Sequence, residues 1–308
     1  MPANDLHGVL AEELDEALSL LGDYRNETTP TNVAEPFPSL LGLCEELCAE
    51  IQPQEPVRGF YHLACTGGTL MSKCLAALPN TILLSEIDPL SSLGRARPGK
   101  KPKFMPTDLL NALNHSTRAV DDNVKLGVFR AAIDSILSDL SKKGIKLVLR
   151  VHAHSQFCTS IEASSRPSVH DMLKSSFPLR PLVSVRHPLD SFLALRANEW
   201  EHFQPFCLEE YSKRTIEFLD YHRECEIIRY EDFVADPEKA LAKMCSVLDL
   251  PFEPLVLDMF DAIRISGDSG RSGSLIKERP RRPVPQVIED ERTVGPYQAL
   301  CARLGYEP

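Results

Sequence analysis

Cys65-Thr66-Gly67-Gly68-Thr69-Leu70 lies between the apolar run VRGFYHLA and a stretch of helical periodicity. It therefore reads as a strand-to-helix turn. Gly67 and Gly68 take backbone angles that other residues avoid, which lets several N–H groups point into one concavity. The helix that follows adds its free N–H groups and its positive end, and the Thr66 and Thr69 hydroxyls stand beside them. Phosphate is the ligand such a nest suits. The G-x-x-x-x-G-K-[ST] pattern of nucleotide-hydrolysing loops is absent, which removes the main support for an ATPase or GTPase.

Two further strand ends carry groups able to move a proton. Glu86 stands in TILLSEIDPLSS, and His152 and His154 stand in LVLRVHAHSQF. An imidazole titrates near neutral pH, and burial can raise a carboxyl group into the same range. Two histidines fall short of a ligand set, so no metal is expected. The segment SGDSGRSGSLIKERPRRPVP is basic and loop-like in a chain of net charge −10.

These residues need a frame. Val57–Ala64, Thr81–Ser85, Lys146–Val151, Leu182–Val185 and Glu226–Tyr230 read as strands. Helical periodicity marks Thr69–Leu78, Asp121–Lys143 (opened by Asp121 and stopped by Gly144), Pro188–Trp200, Leu208–Arg223 and Glu238–Leu248. Such alternation predicts an α/β fold with a central parallel sheet flanked by helices. Ahead of it, apolar residues from Leu6 to Leu21 recur at helical spacing, a polar Pro-rich stretch covers Asn26–Pro38, and a short helix is expected near Leu40–Ile51. The expected division is an N-terminal helical extension and linker over residues 1–55 and an α/β domain over 56–308. The N-terminal stripe would pack on the body or make a homodimer.

TGGTLMSKCLAALP resembles the 5′-phosphosulfate loop of sulfotransferases that use 3′-phosphoadenosine 5′-phosphosulfate (PAPS). PLVSVRHPLDSFLALRANEW is similar to that family's 3′-phosphate motif, and IIRYEDFVADPEKALAKMCSVLDLPFEP to its Tyr-Glu-Asp segment and following helix. The likeness spans about Phe60 to Ser274, with the motifs in the family's order at strand–helix junctions. It implies a P-loop-like sulfotransferase architecture with extra N-terminal helices. Thr66, Gly67, Gly68, Thr69 and Leu70 would hold the 5′ end. Arg186 would grip the 3′-phosphate with its planar fork, with Ser191 beside it and Tyr230 near the nucleotide. Arg271 and Gly273, with Ser272, would close over the 3′-phosphate and adenine. Glu86, placed like the Glu of protein-tyrosine sulfotransferases, or His152, placed like the His of the small-molecule enzymes, would be the base. Asp88 would orient the acceptor or Arg150. The chain departs from the family at Cys65, where Lys or Arg is usual and touches the bridging oxygen as sulfate leaves. It departs again at Ala194, where Ser is common. Lys73, or an Arg from elsewhere, would stand in for the missing cation.

The implied activity is transfer of the PAPS sulfuryl group to a hydroxyl or amine. A nucleotide- or partner-binding protein that has lost the chemistry, and a P-loop small-molecule kinase, are the alternatives. The 308 residues, 43% of them hydrophobic, are ample for one large core, and a net charge of −10 opposes nucleic-acid binding. No apolar run reaches membrane-spanning length, and the acidic N-terminus is unlike a secretion signal. Nine scattered cysteines read as reduced structural thiols, so a cytoplasmic location is expected. Arg95, Arg97, Lys100, Lys101 and Lys103 point to an anionic acceptor, such as a glycan or an acidic peptide, or else a small molecule.

Overall fold

The computed structural model describes residues 12–20, 39–40, 42–43, 54–93, 107–266 and 275–308. The chain divides into two compact units, Met1–Pro53 and Gln54–Pro308. In the first, residues 12–20 are helical, within the stretch whose periodicity predicts it. Most of the helix expected near Leu40–Ile51 lies outside the described residues, as do Arg95 to Lys103, Arg271, Ser272 and Gly273.

The second unit runs β1 (Val57–His62), α1 (Gly68–Ala77), β2 (Thr81–Ile87), α2 (Leu109–Asn114), α3 (Asp122–Lys142), β3 (Lys146–His152), α4 (His154–Phe157), α5 (Val169–Lys174) and β4 (Leu179–Val185). It continues through α6 (Pro188–Ala197), α7 (Leu208–Tyr221), β5 (Glu226–Arg229), α8 (Tyr230–Ala235), α9 (Pro237–Leu248), α10 (Val256–Met259), α11 (Gln286–Asp290) and α12 (Gly295–Leu304). The five strands form one sheet in the order β2-β3-β1-β4-β5, with every pairing parallel. All six residues of β1 are buried, as expected for the middle strand of a sheet covered on both faces. One apolar cluster joins the sheet to α3, α7 and α12 through residues such as Phe129, Phe218 and Tyr297. The other joins it to α1 and α9 through Phe60, Met71 and Leu241.

Local chemistry sets the boundaries. The Asp121 carboxylate accepts the Asn123 N–H at 2.6 Å and opens α3, and Gly144, at φ 68°, lets the chain leave it. Asp236 caps α9, and Pro237 occupies its first turn. Tyr230, expected at the end of a strand, instead begins α8, because the acids Glu231 and Asp232 that follow suit a helix N-terminus. Among the described residues, no helix is long and apolar enough to cross a membrane.

Sequence patterning gave no warning of Arg58, a cation near the start of β1 that is wholly buried. Its Nε donates to the Leu248 carbonyl at 2.6 Å, its Nη2 to the Asp249 carbonyl at 3.2 Å, and its Nη1 to Glu55 at 2.6 Å. One guanidinium thus ties the middle strand to the carbonyls at the end of α9. Arg58→Ala strands those carbonyls and Glu55. It should lower unfolding free energy by about 3 kcal/mol, read as a fall in the urea midpoint. An unchanged midpoint would mean that water replaces the side chain at no cost.

Candidate functional site

The ends of β1, β2, β3 and β4 open onto a cavity of about 980 Å³. Crevices at the carboxyl edge of a parallel sheet arise where neighbouring connections diverge. Here β1 sends the chain outward beyond β3, while β4 lies on its other side.

The Gly-Gly turn forms one wall. Gly67 lies in the left-handed region at φ 86°, and Gly68 opens α1. A Cβ on Gly67 would overlap the Tyr230 ring, and one on Gly68 the His62 ring. Gly67 is thus required by its backbone as well as by its neighbour, and Gly68 by its neighbour. Thr66 is buried and donates to the Leu63 carbonyl at 2.8 Å, which fixes the entry to the turn. Thr69 and Leu70 line the cavity; Cys65 lines it too, in the left-handed conformation at φ 67°.

Arg150, only 4% exposed, stands at the centre of the site. Its Nη2 donates to Thr69 Oγ1 at 3.0 Å, and its Nη1 to Ser85 Oγ at 2.9 Å and the Ser266 carbonyl at 3.0 Å. The same Nη1 lies 2.7 Å from Glu86 Oε1. Nε donates to His62 Nε2 at 2.9 Å. That acceptor role puts the His62 proton on Nδ1, 2.9 Å from the Leu63 carbonyl. Burial and the Arg150 charge push His62 down to about 3, so this imidazole is neutral.

Glu86 sits at φ 61°, where the register between β2 and β3 shifts. A non-glycine residue in that conformation is strained, and such strain collects at working sites. Here it turns the carboxylate back over the sheet edge. Glu86 Oε2 lies 3.4 Å from His152 Nδ1, and His152 is 27% exposed at the cavity. His154 is buried, its Nε2 3.3 Å from His202 Nδ1, and burial pushes it down to about 3. Asp88 does not orient Arg150. Its carboxylate takes both Nη atoms of Arg166, at 2.9 and 2.6 Å, together with the Ser155 hydroxyl. It is therefore part of the scaffold behind His152.

On the far wall, the Arg186 guanidinium lies 4.9 Å from the centre of the Tyr230 ring, and its Nη1 is 3.5 Å from the Cys65 carbonyl. Arg186 Nε is buried and has no hydrogen-bond partner among the described residues. Glu231 holds the turn beyond Arg186: Oε1 accepts the His187 N–H at 3.0 Å and Oε2 the Tyr306 hydroxyl at 2.6 Å. Ser191 is fully buried and does not line the cavity, because its position on α6 faces the core. Ala194, Asn198, Trp200 and His202 do line it, and Asn198 reaches Cys65 Sγ at 3.5 Å.

Thr69, Gly67, Gly68, Leu70, Glu86, His152, Arg186 and Tyr230, all singled out from sequence, therefore meet in one cavity. Sequence reasoning did not single out His62, Asn198, Trp200 or His202. For His62 a signal existed, since it closes the strand that feeds the turn. The other three lie at and beyond the end of α6, which stops at Ala197 short of the expected Trp200, and no motif marks them. Among the described residues, no cluster of three His, Cys, Asp or Glu side chains could hold a metal ion.

The fold matches the sulfotransferase domain of the Synechococcus PCC 7002 olefin synthase at 16% identity and a TM-score of 0.51, covering 84% of this chain and 98% of that domain. A sulfotransferase from Alicyclobacillus acidocaldarius also matches at 16% identity, covering 68% of this chain and 90% of that one, with a TM-score of 0.36. No family model and no curated protein sequence matches. The first likeness establishes a sulfotransferase-type α/β fold.

Neutral burial of His62 and His154, and of His222 at about 4, carries a pH signature. Their folded values lie below the ordinary value near 6.5, so the unfolded chain takes up protons first as pH falls. Their contribution is complete above about pH 6.5 and drains as pH falls, to about pH 4 for His222 and about pH 3 for His62 and His154, by about 1.4 kcal/mol per pH unit for each group. His154→Gln should flatten the fall in urea midpoint between pH 6.5 and 4.5 by about one proton's share. An unchanged slope would contradict the neutral state of His154.

Proposed function

We propose that this protein transfers the sulfuryl group of PAPS to a hydroxyl or amine of an acceptor. The observation that carries the reading is the joining, in one cavity, of a Gly-Gly turn, an Arg186–Tyr230 pair and a Glu86–His152 pair. A volume of about 980 Å³ accommodates a nucleotide and an acceptor side by side.

Roles follow from position. Backbone N–H groups at Gly67, Gly68 and Thr69 would receive the 5′-phosphate, with the Thr69 hydroxyl already fixed by Arg150. Arg186 would take the 3′-phosphate through its fork. Tyr230 would flank the nucleotide while supporting Arg186 from the other side of its ring. Glu86 is engaged at Oε1 by Arg150, which leaves Oε2 to receive Nδ1–H of His152. His152 Nε2 would then be the atom that takes the acceptor proton, with Glu86 holding the ring and stabilising its charged form, as a carboxylate does in a hydrolase triad. PAPS would supply a sulfuryl group already activated as a mixed anhydride, so the chain's own task is alignment, proton removal and charge neutralisation.

The test is chromatographic measurement of adenosine 3′,5′-bisphosphate released from PAPS in the presence of a panel of phenols, sugars and amines. Acceptor-dependent release is expected. His152→Ala should reduce it about 10²–10⁴-fold, and Glu86→Gln less, with an altered pH profile. Both variants should bind the bisphosphate normally. A Glu86→Gln loss as large as that of His152→Ala would move the base to Glu86. Absence of release with every acceptor, despite bound nucleotide, would favour a binding protein on the same fold.

A further inference from the structure

The turn assigned to the sulfated end of the nucleotide contributes no charge. Cys65, Thr66, Gly67, Gly68, Thr69 and Leu70 include no cation, and burial raises the Cys65 thiol, which keeps it protonated. Sulfuryl transfer leaves an extra negative charge on the 5′-phosphate, so a water-poor site needs a cation there. Lys73 is buried within α1 and does not line the cavity. Arg150 is committed to Glu86, Ser85, Thr69 and His62. Arg186 rests on the Tyr230 ring.

Arg279 and Arg282 line the same cavity from the segment that precedes α11, and neither pairs with another described residue. Between them, Arg281 anchors the segment to α6: its Nε lies 3.0 Å and its Nη2 3.4 Å from the two Asp190 oxygens. Of the two unpaired guanidinium groups, Arg282 is the one whose charge, with that of Arg186, acts on the Cys65 thiol. The C-terminal segment thus brings cations into the same cavity whose turn contributes none.

We infer that Arg282 neutralises the 5′-phosphate end of the bound nucleotide and stabilises it as the leaving group, in place of a cation at position 65. The inference rests on the PAPS reading. In the step it serves, the acceptor oxygen forms a bond to sulfur as the bond from sulfur to the bridging oxygen breaks. The electron pair of the broken bond stays on the bridging oxygen, beside Arg282, and the acceptor proton passes to His152. Arg186 keeps the 3′-phosphate, so the two ends of the nucleotide are read by separate arginines.

Calorimetric titration with adenosine 3′,5′-bisphosphate and with 3′-AMP, which lacks the 5′-phosphate, separates these roles. Arg282→Ala should weaken bisphosphate binding about 10-fold or more and leave 3′-AMP binding unchanged. Arg282 is exposed, so the variant should fold normally. Adding Cys65→Lys to Arg282→Ala should restore bisphosphate binding to within about threefold of the starting protein, through a similar charge-assisted contact. Cys65 already holds φ 67° with a side chain, so Lys brings no new backbone strain there. Equal losses for both nucleotides would assign Arg282 to the 3′-phosphate and overturn the inference. No loss for either, or no rescue by Cys65→Lys, would overturn it as well. If the unaltered protein binds neither nucleotide, the PAPS reading itself fails.

Discussion

A buried guanidinium at the end of β3 sets the terms for the rest of the site. Taking the Arg150 charge out of water costs several kcal/mol unless its donors are all met. Thr69 on α1, Ser85 and Glu86 on β2, His62 on β1 and the Ser266 carbonyl meet them. The partners come from four separate stretches of chain, so satisfying one cation fixes the relative placement of the Gly-Gly turn and the Glu86–His152 pair. His62 can accept from Arg150 only while neutral, and its burial keeps it neutral.

Among the described residues five non-glycines take left-handed angles, and two of them border the same crevice. Cys65 and Glu86 both take left-handed angles although neither is glycine, and both stand where a strand gives way to the cavity. The rigid parallel sheet behind them supports these conformations: β1 is buried along its whole length between β3 and β4. The scaffold is reinforced away from the chemistry by Arg58 at the opposite end of β1, and by the Asp88–Arg166 pair beneath His152. The buried Arg58 and Arg150 and the half-buried Arg166 thus brace one sheet, and of these three Arg150 lines the cavity.

Much of this was legible in the sequence, because it depends on local signals. Strand runs, helix caps such as Asp121 and Asp236, and the Gly67-Gly68 turn act through neighbours a few residues away. The parallel sheet followed from the alternation of strands and helices, and the grouping of Gly67, Thr69, Glu86, His152, Arg186 and Tyr230 from the resemblance to sulfotransferase motifs. What stayed hidden depends on distant partners. Ser191 could be placed beside the nucleotide by motif position, but only the packing of α6 shows it facing the core. Asp88 looked available to Arg150 until Arg166, 78 residues further along, closed on it. Trp200 and His202 sit beyond the end of α6 with no periodicity to mark them. The role inferred for Arg282 depends on a turn more than two hundred residues away in the chain, which lines the same cavity.

The central claim is that this crevice recognises a nucleotide by its 3′-phosphate, through Arg186. Calorimetric titration of the full chain with adenosine 3′,5′-bisphosphate and with ATP, repeated with Arg186→Ala, tests it most directly. The account predicts micromolar binding of the bisphosphate, a preference over ATP of about 10-fold or more, and loss of that preference in the variant. Tighter binding of ATP, or bisphosphate binding untouched by Arg186→Ala, would contradict it.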